Sequence, residues 1–164
     1  MTMITFDHGN VRFNYRVAAI IIENGKVLLN QMGSNPEFWF PPGGRAELLE
    51  TSEESLRREM REELGEEVLV ERLLWIAETF FTLDNFHFQE IAMYYLVHLL
   101  EDSPLHNQDT THHFQEGDMS CLCRWHDLNK LEDEIVLYPV FLREAVHCIP
   151  DSTRHIVMRE NQLD

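Results

Sequence analysis

The run from Gly44 to Gly65, GRAELLETSEESLRREMREELG, places three carboxylates on one side of a predicted helix next to a glycine pair. At about 100° per residue, Glu59, Glu63 and Glu62 fall near 0°, 40° and 300°, so the three share an arc of roughly 100°. Leu56, Met60 and Leu64 fall near 60°, 100° and 140°, so an apolar stripe borders the acidic one. Such a helix buries one edge and aims the other into a cleft. A compact set of carboxylate oxygens suits a hard divalent cation, Mg²⁺ or Mn²⁺, which takes oxygen ligands at about 2.1 Å and keeps room for water and phosphate. Glu59 and Glu63 are the leading ligands, with Glu62 beside them. Arg58 can bridge carboxylates such as Glu50 or Glu62 and hold them in rotamers suited to ligation; a surface ion pair is the plainer alternative.

Several elements must hold this helix in place. Thr51 followed by Glu54 fits a capping box, and Gly65 supplies a stop. Gly43-Gly44 allows a tight turn and close backbone approach to a ligand. Upstream, Val11 to Ile22 and Lys26 to Met32 read as a hairpin about Asn24-Gly25, followed by a polar loop, Ser34 to Glu37. Phe38-Trp39-Phe40 leads into the glycines. Trp39 and Phe40 read as core or as a nucleobase platform, and with Arg45 they are the candidates for substrate contact. Downstream, Val68 to Phe81 and Phe88 to Leu99 read as a second hairpin about Asp84-Asn85. Glu101 to Glu116 reads as an exposed loop, with a metal role for His106, His112 and His113 as its alternative. Cys121 to Trp125 reads as a strand, Pro139 to Cys148 as a helix and Thr153 to Arg159 as a late strand. This order predicts a mixed sheet between helices, an α/β/α arrangement in one domain spanning residues 1–164.

The spacing of Gly44, Glu50, Arg58, Glu59, Glu62, Glu63 and Gly65 resembles the signature of the Nudix hydrolases, seven fixed residue types at fixed offsets over 22 positions. Glu66 stands where that signature carries an aliphatic residue, a departure that touches packing beyond the helix and not the ligand set. The resemblance implies the Nudix α/β/α sandwich and a pyrophosphohydrolase that cleaves a diphosphate bond in a nucleoside diphosphate linked to another group. Metal-activated water would attack phosphorus. It also implies that the Gly44 carbonyl completes the metal cluster, and that Glu90, on a later strand, serves as a further ligand or base. Glu62, Glu63 and Glu90 all stand as candidates for the general base, with Arg58 orienting the carboxylates. The alternative is a catalytically inert nucleotide-binding or regulatory domain on the same fold.

Composition narrows the partners. The 164 residues carry a formal net charge of −16, which repels phosphate backbones and argues against nucleic-acid polymers. No apolar run is long enough to span a membrane, and the first residues form no basic leader, so the expected compartment is the cytoplasm. Cys121, Cys123 and Cys148 lack zinc-type spacing and read as reduced, packed thiols. The expected partner is a small nucleotide-type diphosphate, with a homodimer left open. Substrate stays unassigned: no proline lies between Glu66 and Ser103 and no tyrosine between the box and Tyr94, so tags of the ADP-ribose and dinucleoside-polyphosphate subgroups are missing.

Overall fold

The structure, a computed structural model, describes residues 2–33 and 37–160. Ser34 to Pro36, most of the expected polar loop, lie outside the described residues. The strands and helices follow in the order β1 (Thr5–His8), β2 (Val11–Ile20), β3 (Ile22–Glu23), β4 (Lys26–Met32), β5 (Phe38–Trp39), β6 (Gly43–Arg45) and α1 (Ser52–Leu64). Then come β7 (Val68–Leu83), β8 (Phe86–Leu99), β9 (His112–Glu116), β10 (Met119–Asp127), α2 (Leu131–Glu134), β11 (Val136–Leu137), α3 (Leu142–Ala145) and β12 (Arg154–Arg159).

From Val17 to Ile21 no residue is more than 5% exposed, so both faces of this stretch are covered, as the centre of a sheet requires. Accordingly β2 runs parallel to β8 within a mixed sheet of order β1-β2-β8-β7-β12, and β6 adds antiparallel to β2 beyond β1. A second, antiparallel sheet has the order β3-β4-β10-β9, and β5 pairs with β11. The helix α1 packs Leu56 and Met60 onto Val17, Ala19, Tyr95 and Val97. The opposite face, with Ala18, Ile20, Trp75 and Tyr94, is covered by Leu131, Leu142 and Val146 of the α2 and α3 region. The result is the expected α/β/α sandwich on a mixed sheet.

Three expectations are corrected in detail. The first hairpin is confined to β3 and β4 about Asn24-Gly25, whose φ values of 51° and 74° suit a type I′ turn, because β2, buried from Val17 onward, is drawn into the other sheet. The segment from Glu101 to Glu116 is not all loop, since its last five residues form β9 against β10, with Phe114 packed towards the α1 core. The helix expected over Pro139 to Cys148 is α-helical only at its centre. Leu142, Arg143, His147 and Cys148 donate to carbonyls three residues back, and only Ala145 and Val146 make the four-residue bond. The second hairpin forms as expected, turning through Asp84 and Asn85 at φ 50° and 65°. Cys121 and Cys123 are buried free thiols, whereas Cys148 is exposed. No helix among the described residues is long and apolar enough to cross a membrane.

Candidate active site

The helix that carries the carboxylates is fixed at both ends. Thr51 accepts from the Glu54 amide while the Glu54 side chain accepts from the Thr51 amide, and Gly65 closes the helix at φ 69°. Its apolar stripe buries Leu56 and Met60, which rotates Glu59 and Glu63 inward to 7% and 8% exposure. Glu62 falls on the outer edge of the arc, its side chain 59% exposed.

Arg58 is the hub. Its Nε donates to Glu50 Oε1 at 3.1 Å, its Nη1 to Glu59 Oε1 at 2.7 Å and to Glu62 Oε2 at 3.3 Å, and its Nη2 to the Arg45 carbonyl at 3.1 Å. Ser55 donates to Glu50 at 2.8 Å and completes the anchoring of that carboxylate. With its side chain only 13% exposed, this is no surface pair. Burial alone would lower the Arg58 pKa, but the bonds to Glu50 and Glu59 raise it, so the guanidinium is a fixed positive charge.

Gly43 and Gly44 are required for two different reasons. Gly43 sits at φ 149°, and a Cβ there would lie 2.1 Å from the Val17 carbonyl oxygen. At Gly44 a Cβ would lie 2.3–2.5 Å from all three atoms of the Glu59 carboxyl group, so this carboxylate occupies the space a side chain would take. Glu63 Oε2 accepts from Asn30 Nδ2 at 2.9 Å and from the Gly43 amide at 3.0 Å, which fixes its rotamer. Burial raises the pKa of Glu59, opposed by Arg58. Burial and the neighbouring Glu59 push Glu63 up to about 8. Among the described residues no three carboxylate, imidazole or thiol groups converge as a ready-made metal cage. His106 is instead held by Glu23 and the Leu100 carbonyl.

These groups open into a cleft of about 520 Å³ lined by Gly43, Gly44, Glu59, Glu62 and Glu63 at one end and by side chains of β7, β8 and the Tyr138-Pro139 segment at the other. A larger groove of about 820 Å³ beside α3 and β12 holds none of the α1 carboxylates. The cleft also brings in Phe40, Arg45 and Glu90. Glu90 shares its face with Ala92 and Tyr94, on the side of the sheet away from α1. It accepts a long 3.4 Å bond from Asn14 and lies 4.0 Å from Arg16. Burial raises its pKa against the pull of Arg16.

Trp39 is corrected: it is 5% exposed, packed edge-on against His126 at 4.2 Å and covered by Arg124 at 4.9 Å, so its ring belongs to the core and not to the cleft. Its neighbours Phe38 and Phe40 point the other way and line the cleft. Sequence reasoning missed Arg16, Asn30, Thr79, Tyr94 and Glu116. Asn30 touches Glu63, and Arg16, Thr79, Tyr94 and Glu116 line the cleft. Glu116 arrives through the unexpected β9–β10 hairpin. Of these only Asn30, an amide following the apolar run Val27-Leu28-Leu29, carried a signal, since an amide buried there needs a partner.

Residues 13–144 match the family model of the NUDIX domain. The nucleoside triphosphatase NudI of Enterobacter sp. (strain 638) is 33% identical over 121 residues, 71% of this chain and 85% of that protein. Among solved structures, the MutT NUDIX hydrolase from Burkholderia pseudomallei superposes with a TM-score of 0.57 at 26% identity, over 84% of this chain and 98% of that one. A UDP-X diphosphatase shares the fold at a TM-score of 0.56 and 23% identity, over 87% of this chain, which spans 66% of that longer protein. With the box residues gathered at the cleft and the match covering most of its length, this chain belongs to the NUDIX family and is a Nudix hydrolase.

Proposed function

We propose that this hydrolase uses Mg²⁺ or Mn²⁺ to split a diphosphate bond in a nucleotide-type substrate, a nucleoside diphosphate linked to another group, by attack of water on phosphorus. One observation carries the reading: the unbalanced buried charge of Glu59 and Glu63. Both are more than nine-tenths buried one helical turn apart, and Arg58, the guanidinium bonded to Glu59, divides its donors with Glu50 and Glu62. Two such carboxylates are costly to ionise unless a cation joins them. Glu59 and Glu63, with the Gly44 carbonyl and Glu62 at the rim, are the residues that would hold it, and the side-chain-free surface of Gly44 against Glu59 fits that role. When bound, the cation would lower the pKa of the attacking water and offset charge on the phosphoryl oxygens.

The chain's own groups do the rest. Arg58 keeps Glu50, Glu59 and Glu62 in fixed rotamers. Asn30 and the Gly43 amide hold Oε2 of Glu63, which lines the cleft. Arg45, whose buried Nε has no hydrogen-bond partner among the described residues, offers a donor to substrate phosphate. The proton of the attacking water passes to Glu63, Glu62 or Glu90, and Phe40 borders the bound substrate.

The test is a panel of nucleoside triphosphates, nucleotide sugars, dinucleoside polyphosphates and dinucleotides, assayed for phosphate or nucleotide release with each metal. It begins with triphosphates because the Enterobacter relative is a nucleoside triphosphatase. Turnover that requires the metal is expected; binding without turnover of any diphosphate would favour an inert binding domain instead.

A further inference from the structure

We propose that the part of the mixed sheet left open beside α1, on the α1 side, is where a second copy of this chain docks, making the hydrolase a symmetric dimer packed sheet against sheet. The inference concerns an interface and does not depend on which bond the cleft cleaves.

The register shows what α1 leaves open. Its apolar stripe meets β2 from Val17 onwards, at the row that continues through Met93 and Ile76. Two rows nearer the β7–β8 turn stand on the same face. One holds Phe6, Phe13, Gln89, Phe80 and Arg159 across β1, β2, β8, β7 and β12. The other holds Tyr15, Ile91, Glu78 and Val157. None of these residues is buried, and Phe6 and Val157 on the outer strands are 63% and 58% exposed. A sheet face turned to water alternates polar residues outward, yet most of the side chains in these rows are aliphatic or aromatic.

The patch continues off the sheet. Residues 46–48 run beside the start of β1, where the Leu48 amide donates to the Thr2 carbonyl at 3.0 Å and the Ala46 amide to the Tyr15 carbonyl at 2.9 Å. At the end of this run Leu48 is 55% exposed, and Leu49, at φ 71°, wholly so. Left-handed backbone is unfavourable for leucine, and within one copy no burial of its side chain offsets that strain. Contiguous apolar surface of this kind marks an interaction site.

Charge, area and shape select a second copy as the occupant. Of the 29 acidic residues of the chain, Glu78 alone stands in the two rows, with His155 at 2.8 Å and Arg159 in the neighbouring row to offset it. A face without net charge gives a basic partner nothing to select, while the −16 of the whole chain repels an anionic membrane surface. It is also where two such acidic chains can approach with least repulsion. Five strands about 4.8 Å apart and three rows about 6.8 Å apart give a footprint of about 500 Å². Side-chain relief and the leucine loop bring this to the order of the ~800 Å² that each side of a standard interface buries. A second sheet face packs onto such a surface at a spacing of about 10 Å, and two-fold symmetry supplies one of the same extent.

Sedimentation velocity of the full chain between about 1 and 100 µM, with thermal melting of every variant, tests the proposal. Ile91→Glu strikes the centre of the face. Phe6→Glu and Val157→Glu stand at exposed positions on its outer strands and keep the test decisive if the central variant does not fold. Leu69→Glu, 55% exposed near the start of β7 and outside both rows, is the control. The wild type and Leu69→Glu are expected as dimers. The face variants are expected as monomers with cooperative melting, their dimer dissociation constants raised at least about tenfold. A wild type that is monomeric throughout overturns the interface, and one that is monomeric and floats with vesicles of phosphatidylcholine and phosphatidylglycerol assigns the face to a membrane instead. Dimers that persist in Phe6→Glu and Val157→Glu, or that dissociate equally in Leu69→Glu, overturn it as well.

Discussion

Raising the pH of the metal-free protein should weaken its fold through Glu63. An ordinary glutamate loses its proton near 4.5, whereas burial, then the adjacent Glu59, push Glu63 up to about 8. Between those two values the native state binds more protons than the unfolded chain, so stability falls as pH rises. The contribution is fully present below about 4.5 and is lost as pH climbs through about 8. At about 1.36 kcal/mol per pH unit that interval corresponds to just under about 5 kcal/mol. The hydrogen bond from Asn30 also favours the ionised form and draws the figure down, so a loss of about 2–4 kcal/mol is expected. For a domain of this size that is a fall in Tm of roughly 5–15 °C. The assay is thermal unfolding of chelator-treated protein from pH 5 to pH 9, beside Glu63→Gln. The amide oxygen can still accept from Asn30 and Gly43 but carries no proton to lose, so the variant should show a flatter profile and exceed the wild type at pH 8.5. Saturating Mg²⁺ should flatten the wild-type profile as well, since a ligand at a hundredfold excess over its Kd adds about 2.7 kcal/mol. A wild-type Tm that is level or rising between pH 5.5 and 8.5, or a variant with the same slope, would refute the charge imbalance on which the metal assignment rests.

Glu59→Gln and Glu63→Gln should each lower kcat by at least about a hundredfold, with the far-ultraviolet spectrum and cooperative melting retained, because the amide keeps the volume and removes a ligating charge. The two glycines should respond in opposite ways. Gly44→Ala meets the carboxyl end of the Glu59 side chain and must break its bond to Arg58, so it should lose activity with a moderate stability loss of about 1–2 kcal/mol, whereas Gly43→Ala drives a Cβ into the Val17 backbone and should lower Tm severely. Steady-state kinetics of Glu90→Gln should show kcat falling more than KM rises. A change confined to KM would move Glu90 from proton transfer to substrate contact.

How much could be read in advance follows from how far apart in sequence the cooperating residues lie. The clustering of the α1 carboxylates was legible because all of them lie within a few helical turns, where a fixed 100° step converts spacing into direction. The capping box and the Gly65 stop were legible for the same reason. Asn30 and Glu63 lie 33 positions apart, and Asn14 and Glu90 lie 76 apart. Their contact depends on β4 and β6 lying beside α1 and on β2 pairing in parallel with β8, neither of which any local pattern states. The β9 strand was hidden by its composition. As the edge of the smaller sheet it keeps only Phe114 against the core and is otherwise polar, which is how edges avoid pairing with other chains and also why they read as loops.

Strand parity marks the boundary most sharply. Phe38, Trp39 and Phe40 are consecutive in extended chain, so Trp39 and Phe40 cannot both face one ligand, and treating them together as a platform conflicted with the alternation of side chains. The structure resolves the conflict by burying Trp39 under Arg124 and leaving Phe38 and Phe40 to the cleft. The same rule grouped Glu90 with Ala92 and Tyr94 correctly. Parity says which side chains travel together; it does not say which side of the sheet the helix occupies, and α1 proves to lie on the face of Met93 and Tyr95. Glu90 therefore lines the cleft from the sheet's other face, 4.0 Å from Arg16, and no described bond joins it to Glu59 or Glu63. A proton acceptor so placed would serve water that Arg16 and substrate phosphate bring towards it, and that dependence makes Glu90→Gln the substitution most informative about where the attacking water stands.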